Sequence, residues 1–270
     1  MKSNIRIFRK KILRFYKENG RHGLPWRKTH NPYKILVSEI MLQQTQVDRV
    51  IPKYKAFLEA FPTVQKLANA KLSHVLLLWS GLGYNRRARM LHDAAKQVVF
   101  EHSGHFPKDI TELLKLPGVG SYTARAIVTF AYNEPVVMIE TNIRSVFIHE
   151  FFGNVIAVDD TKIVPLIEAS SVKERDSRRW YAALMDYGSY LKKEYPNPSR
   201  KSKHHSKQSK FRGSLREVRG DVLKILLNGN RTVKDLVKES GFTSEKIEEA
   251  LGGLCSDGLT QKTKRGWGVI

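Results

Sequence analysis

The sequence predicts a mainly α-helical chain that ends in a small α+β module, and three observations carry that prediction. Apolar residues recur at helical spacing through most of residues 1 to 190. A tight turn at Pro117-Gly118-Val119-Gly120 joins two of these helices. Residues 215 to 270 pass through three further helical patterns into LTQKTKRGWGVI, whose alternation and Arg-Gly turn suit a short β-ribbon.

The chain opens with MKSNIRIFRKKILRFYKENG, a basic amphipathic helix with Ile5, Ile7, Phe8, Ile12, Leu13 and Phe15 expected to pack inward. It lacks the continuous apolar core and small-residue cleavage site of a signal peptide. From Asn31, NPYKILVSEIMLQQTQVDRVIPKYKAFLEAF reads as two helices parted near Val47–Ile51. Glu39 lies in the first, where an acid either faces solvent or serves chemistry. Gln43-Gln44 follow at its end. Amide side chains both donate and accept, so this pair is either a solvated helix end or a replacement for base-pairing hydrogen bonds.

Phe61 to Gln97 adds two helices around SGLGYN. There Tyr84 offers a ring on which a base can stack, and Arg86, Arg87 and Arg89 form either phosphate contacts or a solvated basic face. The glycine turn comes next. Gly118 and Gly120 have no Cβ and reach positive φ cheaply, and the helix they open, Ser121 to about Ala131, presents N–H groups that favour an anion such as a DNA phosphate. A proline-broken loop then delivers Glu140. Helices follow at Asn142 to about Phe152, Asp160 to Ser170 and Ser177 to Lys192.

A formal net charge of +21 and a pI near 10.0 call for a polyanionic partner, nucleic acid before an acidic membrane surface. No run of apolar residues is long enough to span a bilayer. Cys255 is the sole cysteine, which excludes intrachain disulfides and suits a reducing compartment: the cytoplasm and its nucleoid, or a nucleus in a eukaryote.

LPGVGSYTARAI, followed by an acid and Thr-Asn, resembles the helix-hairpin-helix and Gly/Pro…Asp loop (HhH-GPD) of the base-excision DNA glycosylase superfamily. LPWRKTHNPYKILVSEIMLQQTQVDRVIPKY and LWSGLGYNRRARMLHDAAK resemble its MutY-type adenine glycosylases. These motifs cover roughly residues 20 to 190. The resemblance implies a bilobal helical fold over 1–190, with a six-helix lobe at about 25–135 and a second lobe from 1–24 plus 136–190. It implies a monomer acting on double-stranded DNA and removing a mispaired base, adenine opposite guanine or 8-oxoguanine first. A thymine or uracil glycosylase acting opposite guanine, or a degenerate lesion-binding protein, are the alternatives.

Residue by residue, the resemblance makes Glu39 the acid that protonates the departing base. Glu140 takes the place of the family's catalytic aspartate beside Asn142. Tyr122 stands where bifunctional relatives have their Schiff-base lysine, so no strong lyase step is expected. Trp26, Arg27, Leu42, Gln43, Gln44, Thr45, Tyr84, Arg86, Gly118, Val119, Gly120 and Asp186 fall at DNA- or substrate-binding positions. The family also implies a potassium or sodium ion on the main-chain carbonyls of Leu114, Leu116 and Val119.

Past Asp186 the resemblance ends. Most relatives have four cysteines there for an iron–sulfur cluster; this chain has none, so no cluster is expected, and His204-His205 is too sparse for a substitute metal site. Residues 191–214 read instead as a basic arm, extended or poorly ordered, with Glu194 the single acid among eight Lys and Arg between 191 and 212. Residues 215–270 look like a winged helix, with Lys262, Lys264 and Arg265 on the wing and Glu245, Glu248 and Glu249 on the third helix. It is unlike the Nudix-like domain with which MutY-type enzymes read the base opposite the adenine.

Overall fold

The computed structural model describes residues 2–171, 176–207 and 210–270. The chain is mainly helical: α1 (Lys2–Asn19), α2 (Pro32–Leu42), α3 (Val47–Ala60), α4 (Val64–Ala68), α5 (Leu72–Trp79), α6 (Arg86–Glu101), α7 (Ile110–Lys115), α8 (Ser121–Tyr132), α9 (Thr141–Phe151), α10 (Asp160–Ser171) and α11 (Ser177–Glu194) come first. α12 (Leu215–Leu226), α13 (Val233–Ser240), α14 (Ser244–Ser256), β1 (Thr260–Thr263) and β2 (Gly266–Val269) follow. By contacts the chain sorts into two units, one of residues 1–35, 108–114 and 119–207, the other of 36–107, 115–118 and 208–270.

The core of the first unit joins α1, α9 and α11. Phe8, Ile12 and Tyr16 recur at helical spacing on α1 and meet Ile143, Val146 and Phe147 of α9 and Trp180, Tyr181 and Leu184 of α11. Phe8 stands edge-on to Trp180 at 5.9 Å. The inward face expected for α1 needs one correction. Ile7 is 63% exposed, because it lies a third of a turn off the stripe that Ile5, Phe8 and Ile12 share, and Tyr16 completes that stripe.

The basic arm is also not extended along its first half. Pro198–Lys201 forms a 3-10 turn capped by Asn197, and Val158 and Ser202 pair as a parallel bridge. Val158 N donates to Lys201 O at 2.8 Å, and Lys203 N to Val158 O at 3.0 Å. Pro198 offers a fixed φ and a buried ring, so the turn is anchored despite the surrounding charge. Gln208 and Ser209 of the arm lie outside the described residues.

In the second unit α2 through α6 bury Phe57, Trp79, Leu67, Val75 and Leu91. The C-terminal part packs α12 on α14 around Val222, Leu251 and Leu254, closed by a two-stranded antiparallel ribbon in which Thr260 faces Val269. Its helices begin where their sequence says: Thr232 and Asp235 form a capping box on α13, and Thr243 caps α14.

Candidate functional site

Glu39 sits on α2 where Ile35, Leu36, Val37, Ser38, Ile40 and Met41 are all essentially buried, and it is itself only 8% exposed. A helix apolar around its whole circumference is a buried helix. Of the two readings open from sequence, the solvated surface acid is therefore excluded. Its carboxyl is thus held inside the fold rather than in solvent.

Just beyond α2 the chain leaves helical geometry. Gln44 adopts a left-handed φ of +55°, and in the loop before α6 Tyr84 does the same at +48°. A non-glycine residue held there costs about 1 kcal/mol or more and persists only where its surroundings fix it. Here the fixing group is Arg87. Its Nη1 donates to Ile40 O at 2.8 Å, Met41 O at 3.1 Å and Gln43 O at 2.5 Å. Its Nη2 reaches Thr45 Oγ1 at 3.1 Å, Leu82 O at 3.3 Å and Gly83 O at 3.0 Å. One guanidinium thus ties the Gln43–Thr45 loop to the Ser80–Asn85 loop, with the Trp79 and Tyr84 rings beside it.

Arg87 is therefore not a phosphate contact or part of a solvated face. It is 8% exposed, and burial pushes its pKa down to about 10, opposed by Tyr84, so it remains charged at neutral pH. Tyr84 itself is 39% exposed, Gln44 exposed, and Leu42, Gln43 and Thr45 half-buried. Arg86, exposed along most of its side chain, lies 3.7 Å from Asp257.

In the hairpin the two glycines divide their work. Gly118 has φ +77°, and a Cβ there would come within 2.9 Å of Met90 Cβ, so both conformation and space require glycine. Gly120 has φ −90°, contrary to the positive φ expected for it, and a Cβ there would meet nothing within 4 Å. It leaves the N-terminus of α8 uncovered, with no side-chain cap on its N–H groups. Val119 is buried and Leu114 exposed.

The first unit holds the other acid. Glu140 is the N-cap of α9: its Oε1 accepts from Asn142 N at 2.7 Å and Ile143 N at 2.9 Å, and Asn142 Nδ2 donates to its Oε2 at 3.2 Å. α11 passes so close that a Cβ on Gly188 would run into Asn142 O, which fixes the start of α9 from behind. Lys192 faces this carboxylate; burial holds its pKa below the usual lysine range, with Glu140 opposing. Tyr122, half-buried, packs against the core of the same unit.

Asp186, 4% exposed, accepts from Arg21 N at 2.8 Å, Arg21 Nε at 2.6 Å, and Arg27 Nη1 and Nη2 at 2.6 and 2.8 Å. Burial pushes its carboxyl up, but the Arg27 hydrogen bond and the two positive charges outweigh it and leave the pKa below the ordinary carboxylate range. Arg27 also stacks over Tyr16, and its carbonyl accepts from Arg178 Nη2 at 2.6 Å; Trp26 beside it is buried. Sequence reasoning missed Gly188 and Lys192, which no local signal marks. Among the described residues no three His, Cys, Asp or Glu side chains gather as metal ligands, and no helix is long and apolar enough to cross a membrane.

The two units thus carry, each on its own, a buried acid on α2 and an acid capping α9, with a glycine elbow opening α8. The model of the HhH-GPD superfamily base excision DNA repair proteins matches residues 37–166. An adenine DNA glycosylase of Mycolicibacterium smegmatis is 33% identical over 273 residues, covering 94% of this chain and 93% of the relative. That of Buchnera aphidicola (subsp. Baizongia pistaciae) is 38% identical over 185 residues, covering 68% of this chain and 53% of its own length. Among solved structures, a thermostable thymine-DNA glycosylase aligns with a TM-score of 0.61 at 26% identity over 69% of this chain and 87% of its own. An endonuclease III–DNA complex shares the fold, with a TM-score of 0.57 at 20% identity over 68% and 84%.

The chain belongs to the HhH-GPD superfamily of base excision DNA repair proteins. One expectation needs amending: likeness does not stop near residue 190, since the mycobacterial alignment takes in 94% of the chain.

Proposed function

We propose that this protein is a monofunctional DNA glycosylase that removes adenine mispaired with guanine or 8-oxoguanine from double-stranded DNA. The observation that carries the reading is Glu39: an acid buried on an apolar helix, one helical turn before Gln43 and Gln44 and within a chain 33% identical, over 94% of its length, to an adenine DNA glycosylase. The target nucleotide leaves the stack at a cost of a few kcal/mol. Gln43, Gln44 and Tyr84 offset that cost by occupying the disrupted pair, while the α8 N-terminus holds a backbone phosphate.

As the bond from C1′ to the base breaks, its electrons pass to the base and Glu39 delivers a proton to it. Positive charge develops at the sugar, and the Glu140 carboxylate, steadied by Asn142, opposes it. Water then adds at C1′ and gives up a proton to Glu39. Tyr122 holds the sugar rather than forming a Schiff base, so no strong lyase step follows. Trp26 and Arg27, oriented by Asp186, line the base pocket. A potassium or sodium ion on the carbonyls of Leu114, Leu116 and Val119 fits the same reading: all are hard oxygen donors, and the left-handed Gly118 turns the chain between them. The C-terminal module would be a winged helix.

Likeness to the thymine-DNA glycosylase supports a second reading, removal of thymine opposite guanine. Single-turnover release from duplexes carrying A·G, A·8-oxoguanine, G·T, G·U and A·T pairs decides between them. The expected result is adenine release from the first two alone. Glu39→Gln should slow it by about 10² to 10⁴ with binding retained; tight binding without release by the natural chain would make it a lesion-binding protein.

A further inference from the structure

The groups that sequence marked as facing DNA around the start of α6 are taken up by the C-terminal part of the same unit. Arg86 Nε lies 3.7 Å from Asp257 Oδ1, and Arg219 of α12 binds the other oxygen of that carboxylate. Arg89 Nη1 donates to Asp257 O at 2.6 Å. Arg216 of α12 donates to Tyr84 Oη at 2.6 Å, its guanidinium 5.6 Å from the centre of the ring. A cavity of about 520 Å³ opens here, lined by Gln43, Gln44 and Tyr84 and by Arg216, Leu254 and Asp257. A volume of this order holds a nucleotide.

The Asp257 carboxylate does nothing for α14, which only its backbone N–H caps. Asp257 is the C-cap residue, where the helix dipole favours a cation and disfavours an acid. Its arginine neighbours account for it instead. The adjoining Gly258, at φ +60°, leaves the space that the Arg89 guanidinium fills, so the backbone is shaped around that group. A carboxylate and a phosphodiester each present two oxygens sharing one negative charge, and guanidinium groups bind both alike.

We propose that Asp257 holds the place of a DNA backbone phosphate. Arg86 and Arg219 form a phosphate site that the C-terminal module fills in the free chain and that a duplex takes over, a nucleotide entering the cavity as Arg216 leaves the Tyr84 ring. The module thereby raises the threshold for stable binding, and undamaged DNA, which gains least from Gln44 and Tyr84, is released first. This rests on Tyr84 facing DNA, as in the proposed function, and on Arg86 facing DNA beside it, but not on which base is removed.

The test is the affinity of the full chain and of Asp257→Asn for a labelled, fully paired duplex at low salt. The Asn variant, with the charge gone and the shape kept, should bind about two- to fivefold tighter, the fold-change of a partly exposed ion pair. Hydrogen exchange on the natural chain supplies a reading independent of the variant: amides of residues 250–260 should lose protection when duplex is added. Equal or weaker binding by the variant, or protection that rises with duplex, overturns the proposal and leaves the proposed function standing. A natural chain that binds no duplex overturns both.

Discussion

The two units fix irregular backbone near a proposed site residue with opposite charges. In the second, a cation does it: Arg87 donates to carbonyls of two loops that carry Gln44 and Tyr84. In the first, anions do it: Asp186 gathers Arg21 and Arg27, and Glu140 takes the N–H groups that start α9. The contrast teaches something about robustness. With a pKa near 10, Arg87 keeps its charge across the physiological range, whereas the Asp186 carboxylate, held below its ordinary range, is lost only in acid, so the first unit should loosen first as pH falls.

The largest effect expected from breaking this scheme is at Arg87. Replacing it with Ala strips donors from several buried carbonyls at once, and the cost should be about 3 to 5 kcal/mol. Thermal unfolding measures that loss, and mismatch binding should fall with it. Lys in its place has fewer donors and no planar fork, so it should recover little. A variant melting close to the natural chain would show that the loops hold themselves and that the cation is incidental.

Arg87 also shows where sequence stopped being legible. Within the run Arg86-Arg87-Ala88-Arg89 the three arginines are indistinguishable on paper. Which one turns inward depends on carbonyls from residues 40 to 43 and 82 to 83, and that is tertiary information. The helices, the elbow at Gly118 and a helix starting near Asn142 were readable because periodicity and turn chemistry are local; that Glu140 caps this helix was not, since glutamate is not a favoured cap. Gly120 was half readable: its place in the turn is local, but its negative φ and the open space beside it are not. Pro198–Lys201 was hidden because composition reports charge, and the Val158 bridge that orders this segment comes from 40 residues away.

A smaller effect sharpens the comparison by way of pH. Asp186→Asn keeps the shape of the clasp but loses its charge, and should cost about 2 kcal/mol at neutral pH. The Asp186 pKa lies below its ordinary value, so its contribution is fully present above about pH 4, the unfolded value, and is lost as pH falls through the folded one. The gap in melting temperature between variant and natural chain should therefore be constant near neutrality and close in acid. The Arg87→Ala gap should stay open over the same range. Parallel closure of both would remove the distinction between the units.

The smallest effect on stability, and the most informative one on rate, is expected at Glu140. Aspartate is among the best N-cap residues, and its shorter side chain reaches the same N–H groups, so Glu140→Asp should leave unfolding within about 0.5 kcal/mol. The carboxylate nonetheless shifts by about 1 Å, enough to slow a reaction by as much as a hundredfold. In this chain Asn142 Nδ2 bonds the far oxygen of the longer side chain at 3.2 Å, and Gly188 lets α11 press Asn142 into that position. The surroundings are therefore fitted to glutamate, and base release by the Asp variant should be slower by about tenfold or more. Faster release would mean that the added methylene is a handicap the loop has not absorbed, and that the anionic clasp of the first unit positions its acid less well than Arg87 positions the loops of the second.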